Sequence, residues 1–252
     1  MFDMTGQNVL ITGSSKGIGK AIAEGMAAQG ANVVISSRKG DVCDAVAEDI
    51  SSRGGGKAVS IPCNISHKEQ LENLVAQTHE QLGDIHTLVC NAAVNPHFGS
   101  LSTIEDTAFE KVLHCNITSN HWLCQMVLPE MTERKDGSII IVSSVGAYRG
   151  STHLGAYVIS KGADIQLIRC LAVENGPNNI RVNGIAPGLI KTDFAKALWE
   201  DPVRAKKVEA TYPLRRLGEP EDLAGTAILL ATKPGNYITG QTFTVDGGGL
   251  CG

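Results

Sequence analysis

Residues 8–19 read NVLITGSSKGIG, a short apolar run followed at once by a glycine-rich turn. A continuous apolar run of this length is typical of a parallel strand that is covered on both faces. Gly13, Gly17 and Gly19 follow it in the spacing G-x-x-x-G-x-G. Such glycines either make a tight structural turn or let backbone N–H groups approach a pyrophosphate at a helix N-terminus. Because the turn directly follows the first strand, we favour a dinucleotide-binding βαβ unit.

The rest of the chain repeats this alternation of apolar runs and amphipathic segments. Further strands are expected at residues 32–36, 58–61, 87–90, 138–143, 181–185 and 242–245. The helical patterns between them stop at Gly30, at Gly83 and at Asn175-Gly176-Pro177, which are helix-ending residues. Strands that alternate with helices predict an α/β fold. We expect a single Rossmann-type doubly wound domain over residues 1–252, with about seven parallel strands and helices on both faces.

Composition fits one such domain and argues against several classes of function. The chain has 252 residues, is 42% hydrophobic and 19% charged, and carries a formal net charge of −4. This weakly acidic balance without basic runs argues against nucleic-acid or membrane-surface partners. No apolar stretch reaches the ~18–20 residues of a membrane-spanning helix.

Cysteine and histidine usage argues against disulfides and metal sites. The seven cysteines are scattered, and no C-x-x-C, H-x-x-x-H or H-E-x-x-H spacing occurs. We therefore expect no bound metal, and we interpret the cysteines as buried thiols in a reducing compartment.

The end of the second strand, Ile35-Ser36-Ser37-Arg38-Lys39, bears on the choice of cofactor because it contains no acidic residue. An acid there binds the adenosine ribose 2′-OH of NAD, whereas a nearby arginine accommodates the 2′-phosphate of NADP. Ser37 occupies the position of the acid, Arg38 offers paired hydrogen bonds to a phosphate, and Lys16 adds charge. We favour NADP(H), with NAD(H) as the alternative if Arg38 and Lys39 are only solvated loop charges.

Tyr157 and Lys161 are the candidate proton-transfer pair. They lie four positions apart, so they share one face of a helix. A free phenol titrates near ~10, and a nearby lysine cation favours the phenolate and lowers that pKa. The pair is therefore suited to moving a proton to or from a carbonyl or alcohol oxygen. A surface tyrosine packed on a lysine stem is the alternative.

These motifs together resemble the classical short-chain dehydrogenases/reductases along the whole chain. The matching segments are residues 12–19, Asn91-Ala92-Ala93, Asn116, Ser143-Ser144, residues 157–161 and Pro187-Gly188, all in that family's order. The resemblance implies that Tyr157 donates the proton in reduction and that Lys161 lowers its pKa and binds the nicotinamide ribose. Ser144 then polarises the substrate oxygen, and Asn116 supports a water linked to Lys161. Ser143 lies one place earlier, on the opposite side of the strand.

The same resemblance implies a set of cofactor contacts and an assembly. The contacts are Gly13, Ser15, Lys16, Gly17, Ile18, Gly19, Ser37, Arg38, Asn64, Ile65, Asn91, Ala92, Tyr157, Lys161, Pro187, Gly188, Ile190 and Thr192. Asn64 stands where the family usually has aspartate, so the contact at the adenine edge is expected to differ. A homotetramer is implied by the family.

Three segments resemble one group within the family, the NADPH-dependent carbonyl reductases/retinol dehydrogenases of the dehydrogenase/reductase member 4 group. They are residues 91–96, 187–192 and 215–222. That group often ends in a peroxisomal tripeptide, whereas this sequence ends Leu250-Cys251-Gly252; we therefore expect a cytoplasmic protein.

The substrate site is expected under a small mobile lid around residues 189–214. The candidate substrate residues are His97, Val145, His153, Leu198 and Trp199. Their apolar character favours a small hydrophobic ketone or aldehyde, or the corresponding alcohol. A surface histidine and an ordinary amphipathic helix are the alternatives for His153 and for the lid.

Three functions stay open at this point. The first is an NADP(H)-dependent ketone/aldehyde reductase with Tyr157 as general acid and base. The second is a 3-oxoacyl-thioester reductase, which needs a basic surface such as Arg149 and Arg215-Arg216 to receive an acidic carrier protein. The third is a non-catalytic dinucleotide-binding sensor, which the presence of all four expected catalytic residues disfavours.

Overall fold

The computed structural model describes residues 1–251, apart from the side chain of Arg204, so Gly252 of the predicted domain lies outside the described residues. Seven parallel strands form one sheet in the order β3-β2-β1-β4-β5-β6-β7. The strands are β1 (Asn8–Thr12), β2 (Asn32–Ser36), β3 (Ala58–Ser60), β4 (Thr87–Cys90), β5 (Gly137–Val142), β6 (Ile180–Pro187) and β7 (Thr242–Val245). The predicted α/β fold is confirmed.

Helices connect the strands and cover both faces of the sheet. They are α1 (Gly17–Ala28), α2 (Gly40–Ser52), α3 (Lys68–Leu82), α4 (Asp106–Leu113), α5 (Ser119–Arg134), α6 (Gly155–Asn175), α7 (Lys196–Trp199), α8 (Pro202–Thr211) and α9 (Ala224–Ala231). A five-residue π turn, His114–Thr118, joins α4 to α5. In the described part of the chain, no helix combines the length and the apolar character needed to cross a bilayer.

The apolar strand runs divide between two cores, one on each face. In β1, Val9 and Ile11 join the core under α1, whereas Leu10 joins the core that contains Leu71 of α3 and Leu123 of α5. This division follows from the period-2 alternation of side chains along a strand. Each fully buried leucine or isoleucine contributes roughly 1.5–3 kcal/mol, so both helical layers are held by many such contacts.

Several sequence expectations need adjustment. β3 ends at Ser60 rather than at residue 61, and β5 covers Gly137–Val142 rather than residues 138–143. β6 extends to Pro187, beyond the expected end at residue 185, because it continues to pair with β7 up to Val245. All seven cysteines are free, but Cys170 and Cys251 are exposed rather than buried. Cys170 lies on the solvent side of α6 and Cys251 lies near the end of the chain, positions that spacing alone did not reveal.

The functional edge of the sheet forms where the strand order reverses, between β1 and β4. The Thr12 hydroxyl oxygen accepts hydrogen bonds from the backbone N–H groups of Asn91, at 3.1 Å, and of Ala92, at 3.2 Å. The Ser14 hydroxyl donates to the Ile11 carbonyl at 2.8 Å and accepts from the backbone N–H of Ser36 at 2.8 Å. These bonds hold the carboxyl ends of three strands around one crevice, the position at which open α/β sheets bind ligands.

Gly19 allows α1 to begin against this crevice. A Cβ added at Gly19 would lie 2.4 Å from the Gly13 carbonyl oxygen and 2.5 Å from Asn91 Nδ2. The turn holds both of these atoms in place. We expect Gly19→Ala to lower the free energy of unfolding by about 1–3 kcal/mol, the usual cost of overpacking. Urea denaturation measures this change.

Gly225→Ala is the matched control, because a Cβ at Gly225 in α9 meets no atom within 4 Å. This replacement should be neutral or stabilise the protein by about 0.5–1 kcal/mol, since alanine favours a helix over glycine. Equal effects of the two substitutions would contradict the close approach at Gly19.

Candidate active site

A cavity of about 680 Å³ runs along the carboxyl edge of the sheet, from the glycine-rich turn to Tyr157 and the segment after β6. Most of the predicted cofactor residues line it: Gly13, Ser15, Lys16, Gly17, Ile18, Ser37, Arg38, Asn64, Ile65, Asn91, Ala92, Tyr157, Lys161, Pro187, Gly188, Ile190 and Thr192. Gly19 does not; it is buried behind the turn and allows the close packing described above.

The glycine-rich turn fits a pyrophosphate. Gly13 and Gly17 have φ values of +67° and +56°, in the left-handed region that favours glycine. A Cβ at Gly13 lies 2.9 Å from Asn91 Nδ2, and one at Gly17 lies 3.1 Å from Thr192 Cγ2. The backbone is therefore bare where it faces the cavity at the start of α1, as an anion site at a helix N-terminus requires.

The far end of the cavity carries positive charge. Arg38 is exposed and lines the cavity, and within the described residues it makes no ion pair. Lys111 of α4 also lines the cavity, and its charge, like that of Arg38, acts on Cys115. Lys16 is paired with Asp193 at 2.9 Å, across the cavity between the glycine-rich turn and the segment after β6. A guanidinium and an ammonium beside an adenosine site suit a phosphate group.

Asn64 uses its side-chain oxygen within its own turn. Asn64 Oδ1 accepts from the backbone N–H of Ser66 at 3.2 Å and from the Ser66 hydroxyl at 2.9 Å. The side chain at this position therefore caps a turn at the edge of the cavity.

Ser144 and Tyr157 both line the cavity, whereas the Ser143 hydroxyl is engaged elsewhere. The Ser144 hydroxyl accepts from the backbone N–H of Gly146 at 3.0 Å and lies close enough to the Tyr157 phenol to lower its pKa. The Ser143 hydroxyl instead donates to the Lys161 carbonyl at 2.8 Å, in the core. Consecutive side chains along a strand point in opposite directions, and this alternation separates the two serines at the end of β5.

The pKa of Tyr157 lies above its ordinary value. Burial raises the pKa most strongly, and the Asp164 carboxylate raises it further; the Lys161 charge and the Ser144 hydroxyl lower it. The lysine therefore acts in the predicted direction, but the net shift is upward, because removal of water from the phenolate outweighs it.

Lys161 is buried and held by two groups of the protein. Its Nζ donates to the Val142 carbonyl at 2.9 Å and to Asp164 Oδ2 at 3.0 Å, and it lies 5.8 Å from the centre of the Tyr157 ring. Burial lowers the pKa of Lys161, but the Asp164 carboxylate raises it, and the net direction is upward. Lys161 is therefore a firmly protonated cation at neutral pH.

Asn116 lies in the π turn, fully buried and behind the cavity lining. Its side chain donates to the Val94 carbonyl at 3.1 Å and to the Ser160 hydroxyl at 3.0 Å, and accepts from the backbone N–H of Val94 at 2.8 Å. Its backbone carbonyl accepts from Asn120 Nδ2 at 2.7 Å. The side chain thus joins the loop after β4 to α6, while the carbonyl faces Asn120.

Two residues near the site were not predicted from the sequence. Asp164 follows Lys161 by three positions, and Asn120 follows Asn116 by four. These spacings place each residue on the same helix face as its predicted partner. A polar residue at such a position inside an otherwise apolar helix face was the available signal.

Of the predicted substrate residues, the structure brings only some to the cavity. Val145 and Leu198 line it, whereas His97, His153 and Trp199 lie outside the lining. The His97 ring nitrogen contacts the Ser100 carbonyl at 3.2 Å, and His153 is exposed. Local loop contacts hold the two histidines, and the Trp199 indole N–H donates to the Thr192 carbonyl at 3.0 Å, within the predicted lid.

Further apolar side chains line the cavity near Val145 and Leu198. These are Phe98, Leu154, Phe194, Val208 and Tyr212, and Arg149 lines it as well. The Phe194 ring centre lies 5.8 Å from that of Tyr157, so residues of the predicted lid reach the phenol. Among residues 1–251, no group of three histidine, cysteine or acidic side chains is arranged to hold a metal ion.

A dinucleotide cradle at the switch point of a parallel sheet, beside a Ser–Tyr–Lys group, defines the class: an NAD(P)-dependent oxidoreductase of the Rossmann type. A family profile described as "Enoyl-(Acyl carrier protein) reductase" matches residues 13–249. The chain belongs to the short-chain dehydrogenase/reductase (SDR) family.

Relatives and solved structures agree with this assignment. "Dehydrogenase/reductase SDR family member 4" of Bos taurus is 42% identical over 244 residues, which are 96% of this chain and 86% of the relative. A short-chain type dehydrogenase/reductase from Mycobacterium marinum superposes with a TM-score of 0.93 at 32% identity, covering 100% of this chain and 98% of that one. The resemblance to the member 4 group is confirmed.

A third similar protein was solved with ligands. It is a gluconate 5-dehydrogenase from Burkholderia cenocepacia J2315 in complex with NADP and tartrate, with a TM-score of 0.94 and 28% identity. The match covers 100% of this chain and 98% of that chain.

The two serines at the end of β5 should respond differently to substitution. Ser144→Ala removes the hydroxyl that lowers the pKa of the Tyr157 phenol, and we expect it to lower NAD(P)-dependent turnover about 10²–10³-fold, as the loss of an oxyanion donor does. Ser143→Ala removes a buried hydrogen bond to Lys161, and should cost about 1 kcal/mol of stability with turnover largely kept.

Steady-state kinetics and urea denaturation of both variants measure this separation. If Ser143→Ala were the variant with the large loss of turnover, our assignment of the two side chains would be reversed.

Proposed function

We propose that this protein is an NADP(H)-dependent reductase of small to medium hydrophobic ketones and aldehydes, acting reversibly on the corresponding alcohols. The observation that carries this proposal is one continuous cavity. It joins the pyrophosphate cradle to the Ser144–Tyr157 pair and ends among apolar side chains of the predicted lid. A carbonyl beside Tyr157 in this cavity would lie next to the cofactor and apart from bulk water.

Within this proposal, each residue has one task. The bound nicotinamide supplies the hydride chemistry. Ser144 donates a hydrogen bond to the substrate oxygen, and Tyr157 transfers its phenolic proton to that oxygen. Lys161 offers its ammonium to the nicotinamide ribose and stabilises the phenolate that remains. Asn116 supports this arrangement from behind by holding the π turn against α6.

The preference for NADP(H) is supported by charge. Ser37 at the end of β2 brings no carboxylate to the ribose 2′ position, and Arg38 lines the cavity beside it. An acid here would repel a 2′-phosphate, whereas a guanidinium binds one through paired hydrogen bonds. The NADP in the similar Burkholderia cenocepacia structure is consistent with this preference.

The substrate class is supported by the lining of the cavity. Phe98, Leu154, Phe194 and Leu198 offer apolar contact around the Ser144–Tyr157 pair, and such contact favours a hydrophobic carbonyl. Residues 189–214 act as the lid in this proposal, since several of them line the cavity.

A 3-oxoacyl-thioester reductase is the second candidate, favoured by Arg149 in the cavity lining and by the description of the matching family profile. Arg216 weakens it, because that guanidinium is paired with both oxygens of Asp222, at 2.6 and 2.8 Å. Arg215 donates to the Ala210 carbonyl. Neither arginine lines the cavity, so the expected basic surface is reduced.

The experiment that tests the proposal is NADPH and NADH oxidation against hydrophobic ketones and aldehydes, a keto-gluconate and acetoacetyl thioesters. Turnover of hydrophobic carbonyls with NADPH supports the proposal. Preference for the thioester supports the second candidate, and cofactor binding without turnover of any substrate supports a sensor.

The homotetramer and the cytoplasmic location stay predictions. Sedimentation tests the homotetramer, and fractionation of cells tests the location.

Tyr157→Phe should remove turnover while NADPH binding is kept. Loss of the proton donor should lower kcat about 10²–10⁴-fold, the usual contribution of a general acid. Tyr148→Phe is the matched control, because Tyr148 is exposed and does not line the cavity. A Tyr157→Phe variant with wild-type turnover would refute the assigned role.

The pH dependence should differ between the two directions of the reaction. The raised pKa of Tyr157 keeps the phenol protonated at neutral pH, so Tyr157 should not limit carbonyl reduction between about pH 6 and about pH 9. Alcohol oxidation needs the phenolate and should rise with pH through that range. Profiles of kcat/KM in both directions measure this difference, and parallel profiles would contradict it.

Arg38→Ala should weaken the use of NADPH in particular. Loss of charge-assisted hydrogen bonds to the 2′-phosphate should raise KM for NADPH about 10- to 100-fold, with KM for NADH unchanged. Lys39→Ala is the matched control, since Lys39 is also cationic and exposed but does not line the cavity. A wild-type enzyme that prefers NADH would overturn the cofactor assignment.

A further inference from the structure

A set of buried polar residues, joined by hydrogen bonds, lies next to Tyr157, the candidate proton donor. It consists of Asn116, Asn120, Lys161 and Asp164, named here the Asp164 network. The side chains of Lys161 and Asp164 are 2% and 0% exposed, and Asn116 and Asn120 are also buried. An ion pair that is almost completely buried needs a physical explanation.

Hydrogen bonds engage both oxygens of Asp164. Oδ2 accepts from Lys161 Nζ at 3.0 Å, and Oδ1 accepts from Asn120 Nδ2 at 3.2 Å. Asn120 Nδ2 also donates to the carbonyl of Asn116 at 2.7 Å. The π turn, helix α5 and helix α6 are thereby linked, and the direction of the carboxylate is determined.

The ammonium of Lys161 is directed by the same contacts. Of its three N–H donors, one is directed at the Val142 carbonyl and one at Asp164. Lys161 also lines the cavity, so the remaining donor is available there. With two acceptors on one side, the ammonium cannot turn freely about its Cε–Nζ bond.

Stability alone does not account for the pair. A buried ion pair recovers little more than its own desolvation cost, and apolar residues of similar volume are often equally stable. Asn120 and Asp164 also bring two further polar groups into the core. The arrangement is better explained by what it does to Lys161 than by what it adds to the fold.

We propose that Asp164 is a positioning residue for Lys161: held by Asn120, its carboxylate directs the ammonium so that the remaining N–H meets the nicotinamide ribose. This inference rests on the proposed function, in which Lys161 binds that ribose. The negative charge has a second effect, because it offsets part of the Lys161 charge that Tyr157 experiences. The titratable groups around the pair are Tyr157 on α6, Cys90 on β4 and Cys124 on α5.

Asp164→Asn tests the positioning role by binding alone. The replacement keeps the shape of the side chain, but it removes the charge and sets an amide N–H₂ group in competition with that of Asn120. We expect NADPH to bind about tenfold more weakly, because one charge-assisted hydrogen bond to the ribose is lost. Adenosine 2′,5′-bisphosphate, which lacks the nicotinamide ribose, should bind as it does to the wild type.

Fluorescence or calorimetric titration with both ligands measures the difference. Equal weakening of the binding of both ligands, or no weakening of either, would overturn the proposal. A merely structural role of Asp164 gives no reason why only the ligand that carries the nicotinamide ribose should bind more weakly. NADH and AMP serve as the matching pair if the wild type prefers NADH.

The pH profile of alcohol oxidation is the second readout. Asp164 raises the pKa of Tyr157, so its neutralisation should lower that pKa, while the Val142 carbonyl still holds the Lys161 ammonium. The acid limb of kcat/KM should therefore move to lower pH in Asp164→Asn. Asp164→Glu retains the charge and should keep the limb near its wild-type position. A limb that does not move in Asp164→Asn counts against the proposal.

Asn120→Ala keeps the proposal testable if Asp164→Asn fails to fold. It leaves the carboxylate charged but less firmly held, so NADPH binding should weaken severalfold while the acid limb stays in place. Asn175→Ala, on α6 and away from the site, removes a comparable buried hydrogen bond to the Leu171 carbonyl, and should change stability only. Wild-type cofactor affinity in Asn120→Ala would overturn the proposal.

Failure of this inference is distinguishable from failure of the proposed function. A wild type that reduces carbonyls, together with an Asp164→Asn variant that binds both ligands normally, sinks only the positioning role. A wild type that binds NADPH but reduces nothing sinks the proposed function, while the binding comparison still tests Asp164.

Discussion

The buried ammonium of Lys161 is the constraint on which the site depends. A cation inside a protein is costly unless it is paired and hydrogen-bonded. Lys161 meets this requirement at three places in the fold: the end of β5 through Val142, its own helix through Asp164, and α5 through Asn120. The strand end, the two helices and the π turn must therefore keep their relative positions, and those positions also hold Tyr157 and Ser144.

The second constraint is steric and lies at the other end of the cavity. Gly13, Gly17 and Gly19 sit where any side chain would strike Asn91, Thr192 or the backbone of the turn. The absence of side chains brings α1 close to β1 and β4, and leaves a bare backbone facing the cavity. One end of the cavity is thus suited to an anion by backbone geometry, while the other is suited to proton transfer by a buried charge.

Most of the fold and much of the site could be predicted from the sequence. Strand runs follow from local burial on both faces, and β1, β2, β4 and β7 have the expected bounds. The glycine spacing, the absence of an acid beside Ser37 and the Tyr157–Lys161 pair are also local features. The sequence does not show side-chain direction: His97, His153 and Trp199 lie in segments near the cavity but outside its lining, where local contacts engage their side chains.

By itself, the sequence determined which residues are available: a glycine turn after the first strand, Ser144, and Tyr157 with Lys161 on one helix face. Only the tertiary structure decided how their charges combine. Asp164 and Asn120 lie 44 positions apart in the chain, yet they share a hydrogen bond, and their meeting depends on how α5 packs against α6. Burial, which also exists only in the folded chain, reverses the expected net shift of the Tyr157 pKa. Local spacing predicts which side chains share a helix face, but the electrostatics of a buried site depends on every element packed around it.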